Sequence, residues 1–315
     1  MRKTRDHGGN LDAQIARFGG TRDTWLDLST GINPVPYPVP VLSADSWTAL
    51  PDNSAQQCLL DAARRFWNVP DGLDILATPG ASALISRMPA LFEGRSVDIP
   101  QPTFNEHAAA FEAQGWDVQA SDDLRVLVHP NNPTGRFWSA SDLTAKATVI
   151  DESFCDIAPE KTLIASALDG DRVILKSFGK FWGLAGLRLG FMIARPEPIA
   201  KMRDFIGPWA VSGPALEIGT AALNDNGWAD QTRHRLSEDT ARLDQLMLSR
   251  GAKLAGGCDL FRLYDLPDAA TTQERLAENH IWSRIFPYSD HYLRLGLPAP
   301  DRWDQLEAAL DKVFS

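Results

Sequence analysis

Residues 177–190 read SFGKFWGLAGLRLG: one serine, one lysine and one arginine among small and apolar residues, with no acid in the stretch. Surface helices that carry ion pairs space opposite charges three or four residues apart, and this stretch offers no such pair. A lysine in apolar surroundings gives up its proton more easily, which suits covalent work, and an arginine beside it suits an anion such as phosphate. A buried turn with one lysine reaching out to solvent accounts for the same letters. The neighbouring segments decide between the two readings.

Working outward, DILAT (74–78), SVDI (96–99), RVLVH (125–129), ATVID (147–151), RVILKS (172–177) and LGFMIA (189–194) are short apolar runs. Strands buried on both faces of a parallel sheet look like this. AQQCLLDAARRFW (55–67) reads as a helix, and further helices are expected from Ala81 and from about Asn105. The alternation predicts an α/β fold with helices covering a mostly parallel sheet. Ligands in such folds bind beyond the carboxyl ends of the strands. The last third changes character: a long charged helical stretch over 228–250, then GGCDLFRLYDL, HYLRLGL and a final helix over 301–314. We expect a large domain over 36–230. The first 35 residues, rich in Gly, Asn and Pro, are expected to form an irregular arm that joins a small α+β domain over 231–315.

Bulk properties narrow the function classes. The chain has 315 residues, 44% of them hydrophobic, and a net charge of −10. A sizeable core is therefore expected, and the acidity argues against nucleic acid or a membrane surface as partner. Cys58, Cys155 and Cys258 are far apart, and no HExxH occurs among the six histidines, so neither a disulfide framework nor a metal centre is expected. The basic start, MRKTRDHGGNLDAQ, has no apolar segment behind it, and no apolar run reaches transmembrane length. A cytoplasmic protein is the expectation.

Polar clusters fall at the ends of the predicted strands. Asn132 lies in HPNNPTG after RVLVH, Asp151 ends ATVID, and Ser177 and Lys180 follow RVILK. Gly80, Ala81 and Ser82 lie between a strand and a helix start. Singly, each has an ordinary explanation as a turn or a helix cap. Together they supply an amine, a carboxylate, an amide and a phosphate cradle at one sheet edge.

HPNNPTG, IDESF and SFGKFWGLAGLRLG, in that order, resemble the pyridoxal-phosphate (PLP) enzymes of aminotransferase fold type I. HGGN (7–10), LDLSTGINP (26–34) and YLRLGL narrow the resemblance to the histidinol-phosphate aminotransferase branch and, within it, to the threonine-phosphate decarboxylases of cobalamin biosynthesis. The resemblance implies pyridoxal 5′-phosphate as cofactor, held covalently by Lys180, with Asp151 keeping its pyridine nitrogen protonated. It implies Asn132 on the ring oxygen and Phe104 against the ring face. It implies Ala81, Ser82, Ser177 and Arg188 around the phosphate. Arg294 would hold the substrate carboxylate, and His7, Asn10 and Asn33 the substrate's own phosphate. A homodimer is implied too, because active sites in this family lie between subunits.

The implied reaction is a lyase reaction, decarboxylation of O-phospho-L-threonine to (R)-1-amino-2-propanol phosphate. The alternative is amino transfer from histidinol phosphate, or a related amino donor, to a 2-oxo acid. Two positions depart from the family. Leu50 stands where many relatives carry a tyrosine that reaches the partner's cofactor, and Phe154 stands where a tyrosine is common. Other motifs fail. SFGK fits S-x-x-K, but SDH (289–291) and KTL (161–163) are not the SDN and KTG that must accompany it. Ile174 stands where a P-loop needs glycine, and no GxGxxG follows a strand.

Overall fold

A computed structural model describes residues 5–314, which fall into two compact units. One takes residues 36–132 and 136–231; the other takes 133–135 with the described residues before 36 and after 231.

The larger unit is built on a five-stranded sheet in the spatial order Asp74–Thr78, Gly190–Ala194, Asp171–Ser177, Ala147–Asp151, Leu124–Val128. Its central strands are apolar throughout, and the Ala147–Asp151 and Gly190–Ala194 strands are buried at every position. Helices Asn53–Phe66, Asn105–Ala113, Pro196–Ile206 and Gly213–Leu223 belong to the same unit. Leu84, Met88, Phe111, Val126, Val149 and Val173 share one core cluster, and all are 1% exposed or less. Each such side chain stabilises the fold by roughly 1.5–3 kcal/mol. Local signals set the helix starts: Ser212 accepts a hydrogen bond from the Ala215 N–H at 3.4 Å, and proline stands in the first turn.

Three expectations need correction here. The 190–194 strand is antiparallel to both of its neighbours rather than parallel. The chain reverses directly after residue 177 through short turns, without the long crossover that a parallel strand needs. SVDI yields only the two-residue strand Ser96–Val97, extended by an isolated bridge from Asp98 to Arg125. The helix from Ala81 is one short piece ending at Ile85.

The smaller unit carries a four-stranded antiparallel sheet in the order Arg284–Phe286, Ser289–Gly296, Phe261–Asp265, Lys253–Cys258, with helices Ala269–Glu278 and Trp303–Val313. Inside it, the Arg262 guanidinium and the Tyr264 hydroxyl both donate to Asp244, the latter at 2.8 Å. The N-terminal segment is irregular over most of its described length but not throughout. Helix Leu11–Phe18 packs Leu11, Ile15 and Phe18 with Trp25, Ala277 and Trp282, and Leu26–Asp27 pairs in parallel with Ile281–Trp282. Residues 133–135 join this unit through the Gly257 N–H, which donates to the Thr134 carbonyl at 2.9 Å.

Candidate active site

Sheet register places the chemistry. Val128, Asp151 and Leu175 stand side by side across three parallel strands, and Thr78 and Ser177 both pair with Gly190. The carboxyl ends of the 74–78, 147–151 and 171–177 strands therefore share an edge with the start of the 190–194 strand. Lys180 is the middle residue of the turn Phe178–Trp182 that leaves this edge. Phe178, Phe181 and Trp182 are fully buried, while Lys180 is half-buried. Its ammonium lies 5.2 Å from the centre of the Phe154 ring. Phe154, noted above as lacking the family's hydroxyl, is thus a cation–π neighbour of the lysine.

Asp151 is 2% exposed, and its carboxylate is well provided with donors. The Ser153 N–H and hydroxyl donate to Oδ1 at 3.0 and 2.5 Å, and His107 Nε2 lies 2.8 Å from Oδ2. The carboxylate can only accept, so the proton of this contact sits on Nε2. Burial pushes the Asp151 carboxyl up, but the His107 hydrogen bond and charge, with the Ser153 donors, outweigh it and hold it below the usual carboxylate range. An ionised, preorganised carboxylate at a strand end follows. A carboxylate accepts about four hydrogen bonds. Three are in use among the described residues, which leaves one position on Oδ2.

On the opposite side of this edge, Arg188 and Gly80 meet. Arg188 adopts a left-handed conformation with φ 54°, and its guanidinium donates to the Ala185 carbonyl at 3.0 Å. Gly80 has φ +84°, and a Cβ there would stand 2.6 Å from an Arg188 terminal nitrogen. Only glycine lets the arginine lie this close to the helix start. A Cβ on Gly190 would stand 2.4 Å from the Ala81 nitrogen, so strand and helix start are also in close contact. Ala81, Ser82 and Arg188 are brought together, and Ser82 and Arg188 are exposed. The Ser177 hydroxyl accepts from the Gly179 N–H at 3.2 Å. A cation beside a helix start at one exposed corner is a setting that suits an anion.

Asn132 and Phe104 are both half-buried. Their segments are tied together by Asn131, whose amide donates to the Pro102 carbonyl at 3.0 Å and whose oxygen accepts from Thr103 at 2.6 Å. The Phe104 ring stands edge-on to His107 at 6.2 Å.

The remaining expected residues lie in the smaller unit. Arg294 is 5% exposed and donates to the Ser29 carbonyl at 2.5 Å. Burial, with the neighbouring Arg284 charge, pulls its guanidinium down to about 10, so it stays cationic at neutral pH. His7 and Asn10 are exposed. The turn between them rests on the same Ser29, whose hydroxyl accepts from the Gly9 N–H at 2.7 Å. Asn33 is buried, and its Oδ1 accepts from Arg235 at 2.6 Å and from the Val35 N–H at 3.0 Å.

Sequence reasoning missed His107, Asn131 and Arg235. His107 could have been found from its place on a helix starting after QPTF, three residues beyond Phe104; nothing in the sequence singles out Asn131 from Asn132 or Arg235 from other helical arginines. His129, Glu152 and Cys155 approach within 4.8 Å of one another in the interior. Both His129 nitrogens and both Glu152 oxygens already have protein partners, so the cluster is a packed polar core.

Residues 121–313 match the family model described as aminotransferase class I and II. A threonine-phosphate decarboxylase of a Sinorhizobium species is 39% identical, over 94% of this chain and 93% of its own. A threonine-phosphate decarboxylase of Pseudomonas aeruginosa is 34% identical over 97% of each chain. Among solved structures, the histidinol-phosphate aminotransferase of Sinorhizobium meliloti, in complex with pyridoxal 5′-phosphate, superposes with a TM-score of 0.83. The match covers 97% of this chain and 95% of that one at 19% identity.

Proposed function

The chain belongs to the aminotransferase class I and II family, and on that premise we propose that it decarboxylates O-phospho-L-threonine to (R)-1-amino-2-propanol phosphate, the side-arm precursor in cobalamin biosynthesis. The observation that carries this reading is the likeness, along nearly the whole chain, to two threonine-phosphate decarboxylases. It is joined by an edge-clustered lysine, ionised carboxylate and anion corner.

The residues present fit pyridoxal 5′-phosphate. Asp151 has one acceptor position left for a pyridinium N–H, and a Cβ at Gly80 would fill the ground where Arg188 meets the helix start. When bound, the cofactor supplies an electron sink for negative charge developing at the substrate's Cα. Lys180 would hold the cofactor through its amine and, with that amine free, would deliver to Cα the proton that takes the place of the departing carbon dioxide. Asp151 keeps the pyridine nitrogen protonated, and His107 and Ser153 keep Asp151 ionised. Asn132 would hydrogen-bond the cofactor's ring oxygen, and Phe104 would lie against the ring. Ala81, Ser82, Ser177 and Arg188 would hold its phosphate. Arg294 would orient the substrate through the substrate's carboxylate and so select the bond that breaks at Cα. His7 and Asn10, and Asn33 through its amide NH2 rather than its engaged oxygen, would take the substrate's phosphate.

We propose further that the protein acts as a cytoplasmic homodimer. Val39, Trp47, Leu50 and Trp209 in the larger unit are all more than half exposed and line one surface hollow, an apolar patch that a second copy would cover. All three cysteines are free thiols, which fits a reducing compartment, and no helix among the described residues is long and apolar enough to cross a membrane.

The test is an assay with PLP and O-phospho-L-threonine and no 2-oxo acid. Multiple-turnover release of carbon dioxide and aminopropanol phosphate supports the reading. Amino transfer that appears only when a 2-oxo acid is added overturns it in favour of an aminotransferase.

A further inference from the structure

Beneath the Lys180 turn lies a set of charges that the chemistry above does not use. Asp156 is 4% exposed, Lys176 2% and Glu152 1%. Asp156 receives three donors. Lys176 Nζ reaches Oδ1 at 3.1 Å, the Trp67 indole N–H reaches Oδ1 at 2.9 Å, and the Trp182 indole N–H reaches Oδ2 at 3.0 Å. Glu152 shares Lys176 at 2.8 Å and accepts from Thr162 and from the Leu163 N–H at 2.7 and 2.6 Å. Buried ion clusters are seldom more stabilising than apolar packing of the same volume, so their placement asks for a reason.

The placement supplies one. Lys176 stands two residues before the turn Phe178–Trp182, and Trp182 is its last residue. One carboxylate therefore grips the chain on both sides of Lys180. The exit is fastened again where the Trp182 carbonyl accepts from the Tyr37 N–H at 2.9 Å. Trp182 is stacked between Phe178 at 5.0 Å and Trp228 at 5.3 Å, so its ring is held even without its N–H. Trp67 binds the same carboxylate from outside the turn, just after helix Asn53–Phe66.

We propose that Asp156 is a positioning residue for the Lys180 amine: it clasps both ends of the 176–182 segment and fixes where that amine stands. The inference rests on the reading that Lys180 carries the cofactor. A carboxylate that bridges entry and exit resists the widening of the turn that would let the amine wander. An amine that must hold the cofactor and then deliver a proton to one atom needs such a constraint, since misplacement by an ångström can cost about a hundredfold in rate.

Two substitutions separate positioning from plain stability, since each removes one indole donor to the same carboxylate and keeps an aromatic ring. Trp182→Phe opens the clasp at the turn; Trp67→Phe does not. In cofactor-free protein, amide hydrogen exchange over residues 178–183 should quicken about tenfold in Trp182→Phe, the scale of one hydrogen bond to a charged group, and stay unchanged in Trp67→Phe. In the loaded enzyme, Trp182→Phe should lower kcat about tenfold with KM within about twofold and shift the pH titration of the cofactor's visible absorbance band. Trp67→Phe should leave both in place. Equal behaviour of the two variants overturns the proposal. Borohydride reduction and peptide mapping keep the underlying reading separate. Cofactor trapped on another lysine defeats the assignment of Lys180; cofactor trapped on Lys180 while the two variants behave alike defeats the clasp alone.

Discussion

His107→Leu is the sharpest test of the electrostatics at Asp151. The imidazole is fully buried, with Nε2 2.8 Å from the carboxylate, while its Nδ1 has no hydrogen-bond partner among the described residues. Leucine fills much of the same space and removes both features. A hydrogen bond to a charged group contributes ~1.5–3 kcal/mol, and an unsatisfied buried acceptor costs ~1–3 kcal/mol. The two changes oppose each other in folding stability, so the melting temperature of the cofactor-free protein should barely move. They do not oppose each other at the carboxylate. There only the support is lost, and ~1.5–3 kcal/mol corresponds to about 10- to 150-fold at 1.4 kcal/mol per tenfold. Ser153 keeps its two donors on Oδ1, which sets the expectation at the lower end, about tenfold weaker cofactor binding at neutral pH. The pH dependence has a definite sign. A carboxyl held below its ordinary value contributes stability that is present above that value and lost as pH falls through the lowered one. Without His107, burial is less opposed, so the Asp151 carboxyl rises and the acid limbs of stability and of cofactor binding both move to higher pH. Fluorescence titration of cofactor-free protein with PLP across pH reads both effects. His107→Gln, which keeps an N–H of similar reach, should recover most of the loss. A folded His107→Leu protein with unchanged affinity and an unmoved acid limb would refute the argument that His107 keeps Asp151 ionised.

Gly80→Ala puts a methyl group 2.6 Å from the Arg188 guanidinium at a backbone φ of +84°. The backbone strain, on the order of 1–3 kcal/mol, falls on folding stability, and displacement of the arginine should weaken cofactor binding about tenfold, the scale of one lost hydrogen bond to a charged group, as equilibrium titration would show. Lys176→Met leaves Glu152 and Asp156 buried without their cation, whose charge these two carboxylates hold well above its ordinary range against the pull of burial. Urea unfolding should show a loss of ~3–5 kcal/mol. Arg294→Lys removes a guanidinium whose burial still leaves it charged at neutral pH. Steady-state kinetics should show KM for O-phospho-L-threonine rising about tenfold or more, with cofactor binding unchanged, because a lysine cannot replace a bidentate contact.

The parts of this protein legible in its sequence are those whose signal is local. Five of the apolar runs became the strands of the larger sheet, within a residue at each end, because a strand buried on both faces needs apolar side chains at every position. Asp151 and Lys180 were legible because they stand just where such runs stop. What escaped depends on partners distant in the chain. Helix Leu11–Phe18 has eight residues and no side-chain cap, too short to persist alone; it forms because Trp25, Ala277 and Trp282 cover its apolar face. The direction of the 190–194 strand follows from how the preceding turn closes, which no periodicity records. His107 and Asp156 are the clearest cases. In the sequence each is one polar letter in an ordinary segment, and the structure places one 2.8 Å behind a strand-end carboxylate and the other under the turn that follows a strand. A site of this kind is written at two levels. Reactive groups sit at strand ends, where their residue types stand out, whereas the groups that aim them are buried, and their meaning lies in which donors reach them. Substitutions at the first level should abolish the chemistry, and substitutions at the second should leave it present but misplaced, which is why spectra and exchange rates, rather than activity alone, tell the two apart.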